Sequence, residues 1–187
     1  MRAQRQRAGG AHTLLVSRDV CGATAGATKV RALSGGGTVR VFDKAAVDTA
    51  PATPEALRAS PRGTFGFLAA LAFRFVLEVN DTCTNNILLS GSSGDVWSVD
   101  EGSALSGPRK LLLKKKVHAA LGVVIVPAVE THWSALRALM LSWEEKLASA
   151  AGAALFERHG FGHLRARVRE HVAQLQVREN WVKALTG

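Results

Sequence analysis

The sequence predicts an α+β fold in which helices dominate. Three observations lead there. Apolar residues recur at three-and-four spacing through much of the C-terminal half. Two pairs of short β-prone runs flank turns rich in Gly and Ser. Hydrophobic residues make up 47% of the chain against 21% charged, the balance of a packed chain rather than a disordered one. At 187 residues the chain has the length of one domain, with room for a loose terminal segment.

In chain order, residues 1–28 are rich in Gly, Ala, Arg and Thr with little periodicity, and read as an irregular basic N-terminal segment. The first eighteen hold four Arg and no acid, a composition shared by organelle transit peptides and by plain basic tails. Residues 29–62 form a second segment. Lys29–Leu33 and Thr38–Phe42 flank Ser34-Gly35-Gly36-Gly37, which predicts a hairpin. Asp48–Arg62, with Pro51, Pro54 and Pro61, reads as a linker around a helical turn at Glu55–Ala59.

Residues 63–187 form the main domain. Thr64–Leu77 is apolar nearly all round, the mark of a buried helix. It runs into the polar loop Asn80–Asn86, and then Ile87–Leu89 and Val96–Val99 flank a Ser/Gly-rich turn as a second hairpin. After Thr131, an expected N-cap, apolar positions from Trp133 to Ala154 predict one amphipathic helix reaching about Arg158, where Gly160 and Gly162 end it. A last helix, from about Phe161 or His163 to Ala184, places Val168, Val172 and Leu175 on one side and many Arg on the other.

Composition narrows the function classes. The net charge of +9 suits polyanionic partners in general, but no basic stripe interleaved with aromatics occurs, so specific nucleic-acid binding is not expected. Cys21 and Cys83 are the only cysteines and form no CxxC, which points away from a zinc site or a disulfide-stapled fold and toward a reducing, intracellular setting. The apolar stretches Phe65–Val79 and Val117–Val129 are interrupted by Arg74 or too short to span a bilayer, so a soluble protein without a membrane span is expected. No Walker A, Rossmann, G-x-S-x-G or H-E-x-x-H motif occurs.

Chemistry concentrates in FRFVLEVNDTCTNNILLSGSSGDVWSVDEGSAL, from Phe73 to Leu105. Asp81 is followed five positions later by Asn86, then by the hairpin and Asp100. Phosphoryl transfer needs an acceptor for the incoming hydroxyl's proton and groups that hold magnesium against the nucleotide phosphates. One loop carrying Asp and Asn at this spacing presents both, and an Asp at the end of the next hairpin can complete an oxygen-rich metal shell. The alternative is a loop whose Asp and Asn side chains cap or turn the backbone.

The same string resembles phosphatidylinositol 3/4-kinases and their protein-kinase relatives. VLEVND-TCTNNILL is similar to their V-L-G-I-G-D-x-x-x-x-N-I-hydrophobic pattern, and VDEGSAL to I-D-F-G-x-x-L. The resemblance covers Phe67 to Leu105. It implies a kinase-like larger (C-terminal) lobe with a reduced or missing N-terminal lobe, Mg2+ and ATP as cofactors, Asp81 as catalytic residue, and Asn86 and Asp100 as magnesium ligands. The nucleotide would be one partner, and a protein, lipid or small molecule the phosphate acceptor. In the segment upstream, the Gly-rich turn is an ordinary turn or a counterpart of a phosphate loop, with Lys44 as its phosphate-binding lysine.

Departures from the pattern fall at defined positions. Glu78 and Asn80 stand in place of two glycines, Thr82 and Cys83 in place of a basic pair, and Glu101 in place of an aromatic. The missing basic pair removes positive charge that would offset the transferring phosphate. Two functions are therefore expected: a phosphotransferase using Mg-ATP, or a non-catalytic, degenerate kinase-like module that binds or scaffolds.

Overall fold

The computed structural model describes residues 6–8, 11–13, 28–32, 38–42, 49–79, 82, 84–91, 93–98, 104 and 115–186. Helices hold most of them, beside a small antiparallel sheet, as the α+β expectation requires. In order, the elements are β1 (Gln6–Ala8), β2 (Ala11–Thr13), β3 (Thr28–Ala32), β4 (Thr38–Phe42), β5 (Thr49–Pro51), α1 (Pro54–Ala59), α2 (Pro61–Val76), β6 (Ile87–Ser90), β7 (Val96–Ser98), α3 (Lys115–Ala148), α4 (Ala150–Arg158), α5 (Arg165–Gln174) and α6 (Arg178–Thr186). Single 3-10 turns at Thr84–Asn86 and Gly162–Leu164 precede β6 and α5.

The strands β3 and β4 pair antiparallel across the Gly-rich turn, with Thr28 opposite Phe42 and Ala32 opposite Thr38. Residues 1–28 are not wholly irregular, because β1 and β2 pair with Ala8 opposite Ala11. Gly9-Gly10 between them is a two-residue hairpin signal, weak here because each strand has only three residues.

A third sheet has the order β5-β6-β7, all antiparallel. Thus the stretch read as a linker contributes an edge strand, with Ala50 opposite Leu89. Helices α1 and α2 follow in quick succession, each opened by a hydroxyl cap and a proline in the first turn. Thr53 Oγ1 accepts from Ala56 N–H at 3.2 Å and Ser60 Oγ from Gly63 N–H at 2.9 Å. The junction expected between residues 62 and 63 falls inside the first turn of α2.

The β6–β7 hairpin lies on the N-terminal half of α2, where the lack of side chains lets it approach. A Cβ at Gly63 would stand 2.7 Å from Leu89 Cδ1, and one at Gly66 3.0 Å from Val96 Cγ2. Gly94, at φ +68, makes the turn, and Arg62 Nη2 reaches Asp95 Oδ1 at 2.5 Å across it.

Helix α3 corrects two expectations. It begins at Lys115, not after Thr131, and passes through Pro127. Thr131 is therefore no N-cap; its Oγ1 donates instead to the Pro127 carbonyl one turn back, at 3.2 Å. A proline inside a helix costs about 3 kcal/mol, but Pro127 sits on the exposed side. On the other side, Leu121, Val124, Ile125, Ala128 and Val129 are buried continuously past it. Burial of five apolar side chains, at about 1.5–3 kcal/mol for the larger ones, outweighs the lost bond.

The helix also stops ten residues before Arg158. Ser149 caps a new helix, α4, by accepting from Gly152 N–H at 3.0 Å. The last predicted helix is likewise two helices. The chain turns at Leu175–Val177, where Asn180 Nδ2 donates to the Gln174 carbonyl (2.8 Å) and Trp181 Nε1 to the Leu175 carbonyl (2.6 Å). These donors cap carbonyls at the end of α5, where the helix supplies no i+4 amide.

One core joins the layers. Phe67, Leu68, Leu71 and Phe75 of α2 meet Leu57, Ile87 and Leu89 on one side. The same cluster continues into Leu136 and Met140 of α3, Val168 and Val172 of α5, Leu175 and Trp181. Among the described residues, no helix is long and apolar enough to cross a membrane.

Candidate functional site

Of the four residues singled out from the sequence, Asn86 lies among the described residues, and Lys44, Asp81 and Asp100 lie outside them. Asn86 is buried at the end of the 3-10 turn, immediately before β6. Where α2 ends, other polar side chains are buried as well: Arg74, Glu78, Thr82 and His171.

The site starts from how α2 ends. Glu78 N–H donates to the Phe75 carbonyl (3.1 Å) and Val79 N–H to the Arg74 carbonyl (2.8 Å). With Leu77 as C-cap, this is a Schellman ending, in which the residue after the cap is left-handed and usually Gly. Here it is Glu78, at φ 52, the only non-glycine with positive φ among the described residues. A side chain in that conformation costs about 1–2 kcal/mol.

Two polar networks leave this turn. In the first, Arg74, 1% exposed at the end of the apolar run Phe65–Phe73, donates from Nε to Thr82 Oγ1 (3.2 Å) and from Nη1 to Ser98 Oγ (3.1 Å). Thr82 Oγ1 in turn donates to the Val79 carbonyl at 3.1 Å. One guanidinium thereby ties the loop after α2 to the end of β7. Such a buried charge is tolerated only with several good acceptors around it.

In the second network, α5 grips the turn. Arg167 forms a two-point fork on Glu78, with Nε 2.8 Å from Oε1 and Nη2 on Oε2. One helical turn on, His171 Nε2 stands 3.4 Å from Glu78 Oε1, and its Nδ1 lies 3.1 Å from the Val76 carbonyl. The His171 ring also meets the Phe75 ring edge-on, at 5.9 Å between centroids.

Sequence reasoning passed over these residues. Arg74 was read only as an interruption of an apolar stretch, yet a single cation in a helix apolar all round signals a buried partner. The last helix was expected to carry many Arg on the side opposite Val168, Val172 and Leu175; three of its arginines, Arg167, Arg169 and Arg178, each pair with an acid: Glu78, Glu144 at 2.5 Å and Glu130 at 2.8 Å.

Among the described residues, no group of three or more His, Cys, Asp or Glu side chains is gathered as a metal site would require. His159 and His163, four apart in sequence, are both exposed beside Gly160. Compared with known proteins, the chain matches no family model, no curated protein and no solved structure.

Proposed function

We propose that this protein is a kinase-like phosphotransferase using Mg-ATP. Asp81 accepts the proton of the incoming hydroxyl, and Asn86 and Asp100 are the magnesium ligands. The observation that carries this reading is the Arg74 guanidinium, bonded both to Thr82 and to Ser98. Thr82 follows Asp81 directly and Ser98 precedes Asp100 by two positions. Two residues of backbone span about 7 Å, so one anchor restrains both chain segments that bear the carboxylates.

The hairpin register supports the same convergence. Ile87, next to Asn86, lies opposite Ser98, two positions before Asp100, so the hairpin keeps the two segments neighbours in the chain's path. The turn after α2 supports the resemblance too, since Glu78 occupies the place of a family glycine and has a backbone that glycine favours. The Asn86 amide and the Asp100 carboxylate would supply oxygen donors of the kind magnesium takes together with phosphate oxygens and water. When bound, the ion would offset charge on the nucleotide phosphates. Lys44 would add a phosphate contact from the segment upstream. The acceptor is a hydroxyl of a protein, a lipid or a small molecule.

A second reading, a degenerate kinase-like module that binds without catalysis, is favoured by Thr82. It occupies one of the two basic-pair positions, is buried, and has its hydroxyl engaged by Arg74 and the Val79 carbonyl. That position presents no cation to a phosphate. Thermal unfolding with Mg-ATP, on the wild type and on Asp100→Ala, tests both. A ligand at a hundredfold its Kd stabilises by about 2.7 kcal/mol. The phosphotransfer reading requires a shift that Asp100→Ala abolishes. No shift at millimolar nucleotide sinks it, and a shift unaffected by the substitution favours the second reading.

A further inference from the structure

We infer that Glu78 is a positioning residue: held by Arg167 and His171 of α5, it fixes the left-handed turn, Leu77 to Val79, by which the chain leaves α2 toward Asp81. Helix α5 thereby becomes a working part of the site. For what the loop does, this rests on the phosphotransfer reading; the clamp itself does not.

A helix ending of this kind sets the direction in which the chain departs, because its left-handed residue reverses the backbone. Glycine holds such a turn without help, and a residue with a side chain does not. At Glu78 the help comes from outside the helix. Arg167 takes both carboxylate oxygens, and His171 lies against the same carboxylate and against the carbonyl of Val76, two residues before it. The grip therefore falls on both sides of Leu77, the capping residue.

From Glu78 the restraint passes on through bonded neighbours. Val79 is buried, its carbonyl accepts from Thr82 Oγ1, and that hydroxyl accepts from Arg74, which also holds Ser98. A change in the turn thus reaches Thr82, next to Asp81, and Ser98, two positions before Asp100. Arg167 is half-exposed, so it can be removed without opening the core.

The test compares Arg167→Ala, Glu78→Gly and the double variant. Hydrogen exchange is measured at the amides of Val79, Thr82 and Asn86, with Leu136 and Met140 of α3 as internal reference. ATP affinity is measured with and without Mg2+. Arg167→Ala is expected to speed loop exchange at least tenfold relative to α3, and to lower the Mg2+-dependent gain in ATP affinity at least fivefold. In the Glu78→Gly background, where glycine needs no clamp, it is expected to change neither further. Loop exchange that rises only in step with α3, or an Arg167→Ala effect that persists in full without Glu78, overturns the inference. A wild type without any Mg2+-dependent ATP affinity removes the phosphotransfer reading, and the exchange data then still decide whether the clamp exists.

Discussion

Removing either partner of the Arg167–Glu78 pair should have unequal consequences, because the partners differ in burial: the Arg167 side chain is 42% exposed and that of Glu78 3%. Arg167→Ala leaves a carboxylate inside the protein beside His171 Nε2, at 3.4 Å. Breaking a fully buried pair costs about 3–5 kcal/mol, and partial solvation of Arg167 reduces this to about 2–4 kcal/mol. Glu78→Gly removes the buried charge itself, lets Arg167 rehydrate and releases about 1 kcal/mol of left-handed strain, for a net loss of about 0–2 kcal/mol. Glu78→Ala keeps the strain and should be about 1 kcal/mol less stable than Glu78→Gly, the reverse of the usual order of Ala and Gly in a helix. Equilibrium urea unfolding resolves these differences if the m-value is unchanged across the set. The reasoning fails if Ala at position 78 is as stable as Gly, or if Arg167→Ala is milder than Glu78→Gly.

The break between α5 and α6 and the close approach of the hairpin to α2 give two more tests. Trp181→Phe keeps a ring in the core but leaves the Leu175 carbonyl without its donor, and should cost about 1–3 kcal/mol in urea unfolding; no loss would mean that the bond does not hold the turn. Gly66→Ala puts a methyl 3.0 Å from Val96 Cγ2 and 3.1 Å from Val96 Cβ and should cost about 1–3 kcal/mol in urea unfolding. A gain in stability, as expected of alanine in an unobstructed helix, would contradict the packing described.

How far the sequence could be read followed from what each signal depends on. The buried helix, the second hairpin and the Gly-rich first hairpin emerged close to their observed bounds, since each rests on local composition over five to fifteen residues. Helix α3 was misjudged at both ends because local rules were outvoted. A proline and a good capping threonine suggested a start near residue 131, while burial of Leu121 to Val129 against α1 and α2 carried the helix through. Its actual end depends on Ser149 and Gly152, small residues that look unremarkable in an alanine-rich run.

For the site, the sequence supplied Asn86 and the order of elements around it. The clamp was out of reach, because Glu78 and Arg167 are 89 positions apart and nothing in either neighbourhood names the other. Glu78 could be seen only as a departure from a pattern of glycines. Its backbone angle explains why glycine would suit that place, and the two side chains of α5 explain how a glutamate manages there.

Helix α4 contributes no fully buried residue, and on either side of it α3 and α5 are already fastened together: Arg165 donates to the carbonyls of Leu147 and Ala148 at 2.8 and 3.0 Å. The chain from Ser149 to Leu164 is thus an excursion whose two ends are stapled at its base. Phe156 packs back against the core, but the turn at His159 and Gly160 is exposed, so that turn is where a fluorescent tag or an affinity peptide could be spliced into the middle of the chain.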